Sequence, residues 1–398
     1  MIIGILAGST ASHLWANDIF EYHGPFNRAY GGAGIAMGRG GEAVLLNPAN
    51  LWTNWTSDAY VDGGLLNLKY TLTPSDPNFS PGRVNIPVLP LPSAGGSLKL
   101  SNVAVGAMVL PTGIGSKSEV KDLPLFTGGQ FQKVSAVSAQ KGFKVGLGAA
   151  YKVTSRFYVG LSAVHDRYSS ESTIALTETD TIKSKYKWQY TRPIVGMRYR
   201  MRNLGTLAFS YQQGKQYPYD LEIQAFSEPP QIVNLINYRA EVYGIGMVTK
   251  AVARFGFFGQ YTYEKWLKAR EFAKTPNQAL TSSAPVEFRS TDNFVVGTRY
   301  RLTRKGLLSF AYSYYGGNKG PGALDENGEI ILSGRGPQDF EALSRDQYTL
   351  SFESIGKSSN QLFYLTSIEG VGLNPEGAPN PYLYNLKIIL AGYALVLR

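Results

Sequence analysis

Two stretches of this sequence, Thr206-Leu-Ala-Phe-Ser-Tyr211 and Leu308-Ser-Phe-Ala-Tyr-Ser-Tyr314, alternate bulky apolar or aromatic residues with small ones. Successive side chains of a β-strand point to opposite faces, so each stretch predicts a strand with one bulky face and one small, polar face. The small polar set does not suit lipid, so we expect it to line an interior. A backbone that crosses lipid must satisfy all its hydrogen bonds, which predicts a closed transmembrane β-barrel.

The alternation continues from residue 57 onward and divides the chain into fourteen predicted antiparallel strands. They are 57–71, 94–101, 103–111, 143–154, 157–171, 185–201, 204–213, 235–250, 252–266, 286–302, 305–315, 343–356, 359–369 and 382–397. The joints between them alternate in length. Short joints fall at 101–102, 154–156, 202–205, 250–252, 303–305 and 356–359, and long polar stretches fall at 74–92, 112–141, 214–234 and 316–342. Short turns at one rim, long loops at the other and an even strand count are typical of membrane barrels.

Composition supports a barrel and excludes several other classes. The 398 residues contain no uninterrupted run of 18 apolar residues, so a helical membrane span is not expected. Aromatic residues make up 13% of the chain, which suits the interfacial girdles of a barrel. The absence of cysteine excludes disulfides, thiol catalysis and a lipid-anchored N-terminal cysteine. The net charge of +10 is not concentrated in any basic run, so nucleic acid is not an expected partner.

Enzymatic activity is not expected either. The chain has three histidines, His13, His23 and His165. His165 and Asp166 are neighbours on a predicted strand, so they point to opposite faces and cannot form a catalytic pair. No Ser/His/Asp grouping and no cluster with metal-ligand spacing is visible, so we expect no catalytic residues, no metal and no cofactor.

The N-terminal part of the chain is rich in glycine and does not alternate. Its central stretch reads Arg28-Ala-Tyr-Gly-Gly-Ala-Gly-Ile-Ala-Met-Gly-Arg-Gly-Gly-Glu-Ala-Val-Leu-Leu-Asn-Pro-Ala-Asn-Leu51. This stretch resembles the opening of the FadL-type outer-membrane transporters, which carry long-chain fatty acids and aromatic hydrocarbons. The small-residue run and Asn47-Pro48-Ala49 match the family pattern, whereas Asn50 stands where the family has glycine. Weaker similarities follow in order at 105–113, 146–161, 261–266 and 296–314.

The resemblance implies a fold, a place and a function. The fold is an all-β barrel of fourteen transmembrane strands whose lumen holds an N-terminal hatch, or plug. The place is the outer membrane of a Gram-negative bacterium. The function is passive transport of hydrophobic small molecules, with capture at an extracellular groove, transfer to an apolar pocket, and release sideways after hatch movement. The implied partners are outer-membrane lipid, the hydrophobic ligand and the outer-membrane insertion machinery, and a monomer is expected.

These inferences divide the chain into three parts: a candidate signal-peptide remnant at 1–11, the hatch at 12–56, and the barrel at 57–398. Residues 2–7 form a short apolar core, and Ser9-Thr10-Ala11 is an acceptable cleavage site, although a positive n-region is missing. The alternative is that these residues are the first part of the hatch.

Two candidate elements belong to the gating machinery. The hatch motif comprises Gly31, Gly32, Gly34, Asn47, Pro48 and Ala49, where glycine permits tight packing inside a narrow lumen. Asn47-Pro48-Ala49 is either a simple turn or a hinge that contacts ligand or wall. A kink in the third strand, with a lateral opening, is expected at Pro111, Thr112 and Gly113. The alternative is that these three residues only begin the following loop.

Apolar residues in the predicted long loops are candidates for ligand capture, because apolar loop surface is otherwise out of place. They are Leu123, Leu125, Phe126, Phe131, Tyr217, Tyr219, Leu221 and Phe226. Packing of these residues among themselves is the alternative.

The lumen candidates are Phe258, Arg198, Arg200, Arg299 and Arg301. Phe258 breaks the polar inner face of its strand, either because it meets an apolar ligand tail or because it touches the hatch. The arginines alternate with Tyr199 and Tyr300, which places them inward near the short-turn rim. They could attract a ligand carboxylate or, as we favour, pair with hatch acids such as Asp18, Glu21 and Glu42.

Two other functions remain open at this stage. A polar-solute porin would need an open, polar pore. A FadL-like scaffold or shuttle barrel that binds secreted proteins would also use apolar loops. The apolar loops and the inward Phe258 favour hydrophobic transport over a porin but do not exclude the scaffold.

Overall fold

The computed structural model describes residues 24–52, 57–74, 78, 80–113, 117–127, 130–176, 180–226, 228–265, 291–316, 323–324, 330–331, 344–371 and 382–397. Among these residues, five short helical elements precede the first strand. They are the α-helices α1 (Pro25–Ala29), α2 (Gly34–Met37) and α3 (Ala43–Leu46), and the 3-10 turns Gly40–Glu42 and Pro48–Trp52. None of the helices in the described part of the chain is long and apolar enough to cross a membrane.

The rest of the described chain is built of strands. They are β1 (Asp58–Pro74), β2 (Gly82–Leu100), β3 (Val103–Gly113), β4 (Lys117–Thr127), β5 (Gln130–Lys152), β6 (Phe157–Ala175), β7 (Thr181–Met201), β8 (Gly205–Gln212), β9 (Lys215–Ala225), β10 (Gln231–Arg239), β11 (Glu241–Thr249), β12 (Phe255–Lys265), β13 (Thr291–Arg301), β14 (Gly306–Tyr315), β15 (Ala323–Leu324), β16 (Ile330–Ile331), β17 (Ser344–Ile355), β18 (Ser359–Val371) and β19 (Tyr382–Leu397).

Fourteen of these strands close into an antiparallel barrel, which confirms the predicted fold and strand count. Each pairs with the next one around the wall, in the order β1, β2, β3, β5, β6, β7, β8, β11, β12, β13, β14, β17, β18 and β19. The last strand pairs with the first from Ala59↔Leu397 to Pro74↔Tyr382, so the sheet has no free edge there.

The outer face of this barrel carries an apolar belt. Side chains that alternate with the inward ones are exposed although they are large and apolar, as a lipid-facing surface requires. Among them are Val61, Leu65, Leu98, Val105, Leu147, Leu161, Val195, Phe209, Ile245, Phe257, Val296, Phe310, Leu350, Leu365 and Ile389. The barrel is therefore a transmembrane one.

The two rims of the barrel differ. Short connections at 101–102, 153–156, 202–204, 250–254, 302–305 and 356–358 lie at one end, which we call the short-turn rim. At the other end, the extended rim, three long stretches predicted as loops are in fact strands. Residues 82–92 belong to β2, residues 117–127 form β4, residues 130–141 form the first half of β5, and residues 215–225 and 231–234 belong to β9 and β10.

These extra strands lengthen the wall above the membrane. Strand β9 pairs with the first part of β7, from Ile182↔Ala225 to Lys187↔Asp220, and β10 pairs with β9. The predicted strand 235–250 is broken at Ala240, because β10 follows β9 whereas β11 joins the barrel between β8 and β12. Most of the predicted loop at 316–342 lies outside the described residues.

Strand β7 shows where the membrane ends. Its outward side chains from Val195 to Tyr199 are apolar or aromatic, whereas those from Lys183 to Thr191 are lysines and uncharged polar residues. A lipid-facing surface does not carry such a lysine series, so the upper half of β7 stands in water.

Candidate functional site

The described N-terminal segment, residues 24–52, lies inside the barrel. Inward-facing serines on three different strands donate hydrogen bonds to its carbonyl groups. Ser162 Oγ on β6 donates to Val44 O over 2.6 Å. Ser210 on β8 donates to the carbonyl of Leu46, and Ser313 on β14 to that of Gly31. The segment is thus held from several directions by the small polar face that the alternation predicts.

Gln260 on β12 adds a two-way contact with the same segment. Its Nε2 donates to Gly32 O over 2.9 Å, and its Oε1 accepts from Ile35 N over 2.8 Å. A single amide side chain therefore satisfies two backbone groups of a tightly turned chain, which would otherwise be buried without partners.

Two buried ion pairs fix the segment to the wall. Arg28 Nη1 lies 2.7 Å from Asp62 Oδ2 on β1, and both side chains are almost completely buried. Tyr364 on β18 joins them, since its hydroxyl donates to Asp62 Oδ1 over 3.0 Å and accepts from Arg28 over 3.1 Å. Breaking such a pair by removing one partner is costly, because an uncompensated charge stays buried.

The second pair lies nearer the short-turn rim. Arg39 Nη2 is 2.8 Å from Glu353 Oε2 on β17, and Tyr30 donates a hydrogen bond to the same oxygen over 3.1 Å. In both pairs the segment supplies the arginine and the wall supplies the acid. The favoured expectation was the other arrangement, in which wall arginines pair with hatch acids.

Among the hatch acids named above, Glu42 behaves differently, and Asp18 and Glu21 lie outside the described residues. Glu42 is fully buried, and its Oε2 accepts from the backbone N–H groups of Phe26 and Asn27 at 2.9 and 3.3 Å. Burial raises the pKa of Glu42 well above its ordinary value, although these two hydrogen bonds oppose the shift. Glu42 therefore organises the segment internally.

Seven inward glycines of the wall leave room for the segment, and we call them the glycine belt. They are Gly106, Gly146, Gly148, Gly160, Gly196, Gly244 and Gly246. A Cβ on Gly160 would come within 2.5 Å of Ala49 N, and a Cβ on Gly196 would collide with Asn47 Oδ1. The wall backbone can approach the segment this closely only without side chains.

The hatch-motif residues lie at this contact. Asn47 Nδ2 donates to Ile35 O over 2.9 Å and to Met197 O over 3.2 Å, so it joins the segment to β7. Its Oδ1 also accepts from Ala49 N over 3.2 Å, which makes the Asn47-Pro48-Ala49 turn. The turn and the wall contact predicted as alternatives are therefore present together.

The three motif glycines are also tightly packed. Gly31 and Gly32 have φ angles of +63° and +98°, which side chains rarely adopt. A Cβ on Gly34 would collide with Leu46 and with Asn27, whose Oδ1 accepts from Gly34 N over 2.9 Å.

Above the segment, the inner wall of the extended rim carries stacked aromatic rings that we call the aromatic ladder. Its members are Tyr168, Tyr186, Trp188, Tyr190 and Tyr217, all at most 5% exposed. Neighbouring ring centroids lie 4.7 to 5.9 Å apart, as in favourable aromatic pairs. On β7 they share the face of Gly196, which meets Asn47, so they point inward.

Charged residues separate the ladder from the segment. Lys144 Nζ on β5 lies 3.5 Å from Asp166 Oδ2 on β6, and both side chains are buried. Tyr190 Oη, at the lower end of the ladder, donates to the same oxygen over 3.3 Å. Next along the inner face of β7 is the buried Arg192. Among the described residues, no group of three His, Asp or Glu side chains could hold a metal ion.

The predicted capture residues lie on the strands of the extended rim. Tyr217 and Leu221 are 2% exposed and face inward on β9, whereas Phe226 is exposed just after that strand. The other candidates belong to β4, β5 and β9, and their side chains lie outside the described part; they are Leu123, Leu125, Phe126, Phe131 and Tyr219. Tyr186, Trp188 and Tyr190 were not among the predicted site residues, although their alternation with lysines is visible in the sequence.

The third strand departs from regular pairing near the predicted kink. Pairing between β2 and β3 runs from Leu100↔Val103 only to Ala94↔Val109. Beyond that point β3 continues along β5, with a register shift between Pro111 and Gly113 that leaves Thr112 without a paired residue. In the described chain, the part of β2 above Ala94 pairs with β1 alone, so the backbone pairing between β2 and β3 stops partway up the wall.

The remaining lumen candidates lie below and beside the segment. The Phe258 ring is buried and meets Tyr30 edge-on, with centroids 5.6 Å apart, which agrees with contact to the hatch. Arg198 Nη1 donates to Trp52 O over 2.9 Å, and the Arg200 guanidinium lies 5.5 Å from the Tyr158 ring centroid. Arg299 and Arg301 line a cavity at the short-turn rim.

Comparison with known proteins supports the fold. No protein-family model and no curated protein matches the sequence. Among solved structures, the P. putida toluene transporter TodX has a TM-score of 0.66 at 12% identity, covering 95% of this chain and 99% of that chain. The Ralstonia pickettii toluene transporter TbuX has a TM-score of 0.62 at 16% identity, with 95% and 99% covered. A Pseudomonas aeruginosa FadL homologue has a TM-score of 0.65 at 11% identity, with 94% and 97% covered. The resemblance to FadL-type transporters that the sequence predicts is thus confirmed at the level of the fold.

Proposed function

We propose that this protein carries hydrophobic small molecules passively across the outer membrane of a Gram-negative bacterium, with residues 24–52 as its hatch. The observation that carries the proposal is the vertical order inside the barrel: an aromatic ladder stands above a segment that lies in the lumen, with Lys144, Asp166 and Arg192 between them. A porin would instead need a continuous polar pore. The fold likeness to two toluene transporters and a FadL homologue points the same way.

The inner face of β7 gives the order of events along the path. From the extended rim it presents Tyr186, Trp188 and Tyr190, then Arg192, and finally Gly196 against the hatch. With a rise of roughly 3.4 Å per residue, the aromatic part spans about 14 Å. Short turns face the periplasm in such barrels, so the ladder lies on the outer side and receives the cargo first.

Burial of apolar surface drives the first step. Each methylene moved from water to an apolar site gains about 0.8 kcal/mol, and stacking on the ladder adds to this for aromatic cargo. The exposed Phe226 places apolar surface at this entry, and Tyr217 and Leu221 lie buried on the inner face of β9. No energy source is needed if the cargo moves down its concentration gradient.

The exit that we propose is lateral, between β2 and β3. The backbone pairing between these strands ends at Ala94↔Val109, and Pro111 has no N–H group to donate to a neighbouring strand. The buried Lys144–Asp166 pair and the hatch block the direct route downward, so an apolar molecule meets less resistance toward the lipid.

Purified protein in liposomes tests the transport proposal. We expect toluene and oleate to enter protein-containing liposomes faster than protein-free ones, while sucrose causes no swelling. Swelling in sucrose would indicate an open porin instead. No response to either class would favour a barrel that binds proteins.

A cross-link across β2 and β3 tests the exit separately. Because the sequence has no cysteine, Pro92→Cys/Pro111→Cys introduces the only thiols, at the height where pairing has stopped. Oxidation should slow hydrocarbon release and reduction should restore it. The matched control, Leu98→Cys/Val105→Cys, joins residues that are already paired between β2 and β3 and should leave transport unchanged. Equal transport in both oxidised variants would refute lateral release without affecting the transport proposal itself.

A further inference from the structure

The short-turn mouth of the barrel contains a cavity of about 400 Å³ with an unusual charge. Six arginines and a single acid, Glu353, line it. The arginines are Arg39, Arg198, Arg254, Arg299, Arg301 and Arg304. Six positive charges minus one negative leave the lining at +5. Three of the arginines, Arg39, Arg198 and Arg299, are half-buried and share the single acid Glu353, whereas charges removed from water usually need partners of their own.

The arginines come from different parts of the chain, so the cluster is not a by-product of one basic stretch. Arg39 belongs to the hatch, Arg198 to the end of β7, and Arg299 and Arg301 to the end of β13. Arg254 lies in the turn before β12, and Arg304 lies in the turn before β14. The fold therefore assembles the positive charge around one mouth.

The protein itself satisfies only part of this cluster. Arg39 is engaged with Glu353, and Arg198 donates one hydrogen bond to Trp52 O. The Nε groups of Arg198 and Arg299 are buried and find no hydrogen-bond partner among the described residues. Buried donors without acceptors are costly, so an acceptor from outside the chain would be favourable here.

We propose that this mouth is a binding site for a small multivalent oxyanion bearing phosphate or carboxylate groups. A guanidinium presents a planar fork of donors that matches these groups in bidentate fashion, and several forks around one cavity select for more than one negative charge. The cavity volume lies at the lower end of the range for small-molecule sites, roughly 300–1,000 Å³. This inference goes beyond the proposed function and does not depend on the identity of the transported cargo.

Occupation of the site has a consequence for the hatch. The bound anion meets Arg39, whose present partner is Glu353 at 2.8 Å. It therefore competes with the wall for the arginine that holds the lower side of the hatch. Anion binding and hatch seating are coupled through this one guanidinium.

Calorimetric titration of the purified full-length protein in detergent at low ionic strength tests the site. Pyrophosphate and citrate represent the phosphate and carboxylate sources, and acetate is the monovalent comparison. We expect pyrophosphate or citrate to bind at about one per chain and at least tenfold more tightly than acetate. Binding of all three with equal affinity, or no binding of any, overturns the proposal.

Two matched variants separate the cavity from general surface charge. Arg299→Gln/Arg301→Gln should weaken binding of the preferred anion at least tenfold. Arg156→Gln/Arg202→Gln removes the same charge from exposed positions in two short turns that do not line the cavity. This control should change the affinity less than twofold. An equal loss in both variants would mean diffuse attraction to a basic rim and would overturn the proposal.

Replacing the internal carboxylate gives a test with the opposite sign. Glu353→Gln removes the competitor for Arg39, so we expect the anion to bind several-fold more tightly, whereas structural damage would weaken binding. Weaker binding in a variant whose far-ultraviolet circular dichroism is unchanged would contradict competition between the anion and Glu353 for Arg39.

The chain's own acids Asp18 and Glu21 are tested by the variant Asp18→Asn/Glu21→Gln. Binding that emerges only in that variant would show that the chain itself supplies the anion and would likewise overturn the proposal.

Discussion

The lower and upper halves of the barrel interior carry inward side chains of opposite size on the same strands. On β7, Gly196 in the lower half leaves space for Asn47, whereas Trp188 in the upper half fills space with a ring. The lower wall is small and hydrogen-bonding because a folded segment already occupies the lumen. The upper wall is large and aromatic because no segment of the hatch reaches it among the described residues. The size of inward side chains thus reports what shares the lumen at each height.

The strongest way to break this contrast is to remove the acid that holds the hatch. In Asp62→Leu, Arg28 stays buried without its ion pair, which should cost about 3–5 kcal/mol of hatch seating. We expect faster hydrogen exchange across 24–52 and large, unstable conductance in planar bilayers. The exposed pair Lys387–Glu369 supplies the control, since Glu369→Leu should change neither readout. Unchanged exchange in Asp62→Leu would contradict the anchoring role.

A smaller effect is expected from filling the glycine belt. Gly196→Ala places a Cβ against Asn47 Oδ1, and overpacking of this kind typically costs about 1–3 kcal/mol. Bilayer conductance should increase, because the hatch seats less well. Gly63→Ala is the matched change, since a Cβ there meets nothing within 4 Å. Equal conductance in the two variants would mean that the wall yields rather than the hatch.

The upper half should respond in a different readout. Trp188→Ala removes ring contacts with Tyr168, Tyr190 and Tyr217, each worth about 1 kcal/mol in a typical pair. We expect toluene uptake into liposomes to fall about fivefold while the channel stays closed to sucrose. Gln189→Ala, one residue away on the outer face, should have no effect. Sucrose swelling in Trp188→Ala would mean that the upper half also keeps the channel closed, and would contradict separate roles for the two halves.

The smallest expected effect is a dependence of the lower half on pH. Burial raises the pKa of Glu42 above its ordinary value of 4.5, so its folded-state pKa exceeds the unfolded one. The stability linked to this group is therefore fully present below the unfolded pKa and is lost as the pH rises through the raised, folded value. The protection factors of residues 24–52, which correct hydrogen exchange for its base-catalysed intrinsic rate, should fall modestly over that window. Glu42→Gln should remove the dependence, and an identical pH profile in the variant would exclude Glu42 as its source.

The barrel itself could be predicted because strand alternation is a local property. The pattern at 206–211 indicates which side chains face lipid, and fourteen such patterns with joints of alternating length predict the closed sheet. The extra strands could not be recognised by the same rule. Above the membrane both faces meet different surroundings, so bulky residues turn inward and lysines turn outward, as at Lys185 and Tyr186.

The anchoring of the hatch was not predictable from the sequence. Arg39 and Glu353 are separated by 314 residues, and no local pattern links them. The hexapeptides 195–200 and 296–301 are nearly identical, yet Gly196 faces Asn47 whereas Gly297 faces the ring of Phe258. Their arginines lie near the short-turn rim, but the direction of the ion pairs that hold the segment depends on acids contributed by distant strands.

The contacts of Arg28 have a consequence for the assembly of the barrel. Arg28 meets Asp62 near the beginning of the wall and Tyr364 on the next-to-last strand, 336 residues later in the chain. Synthesis delivers the arginine first and its full set of partners almost last. Arg28 therefore has its full set of partners only once β18 has joined the wall, beside the seam that β19 forms with β1. The seating of residues 24–52 is thus linked to the completion of the wall through one buried guanidinium.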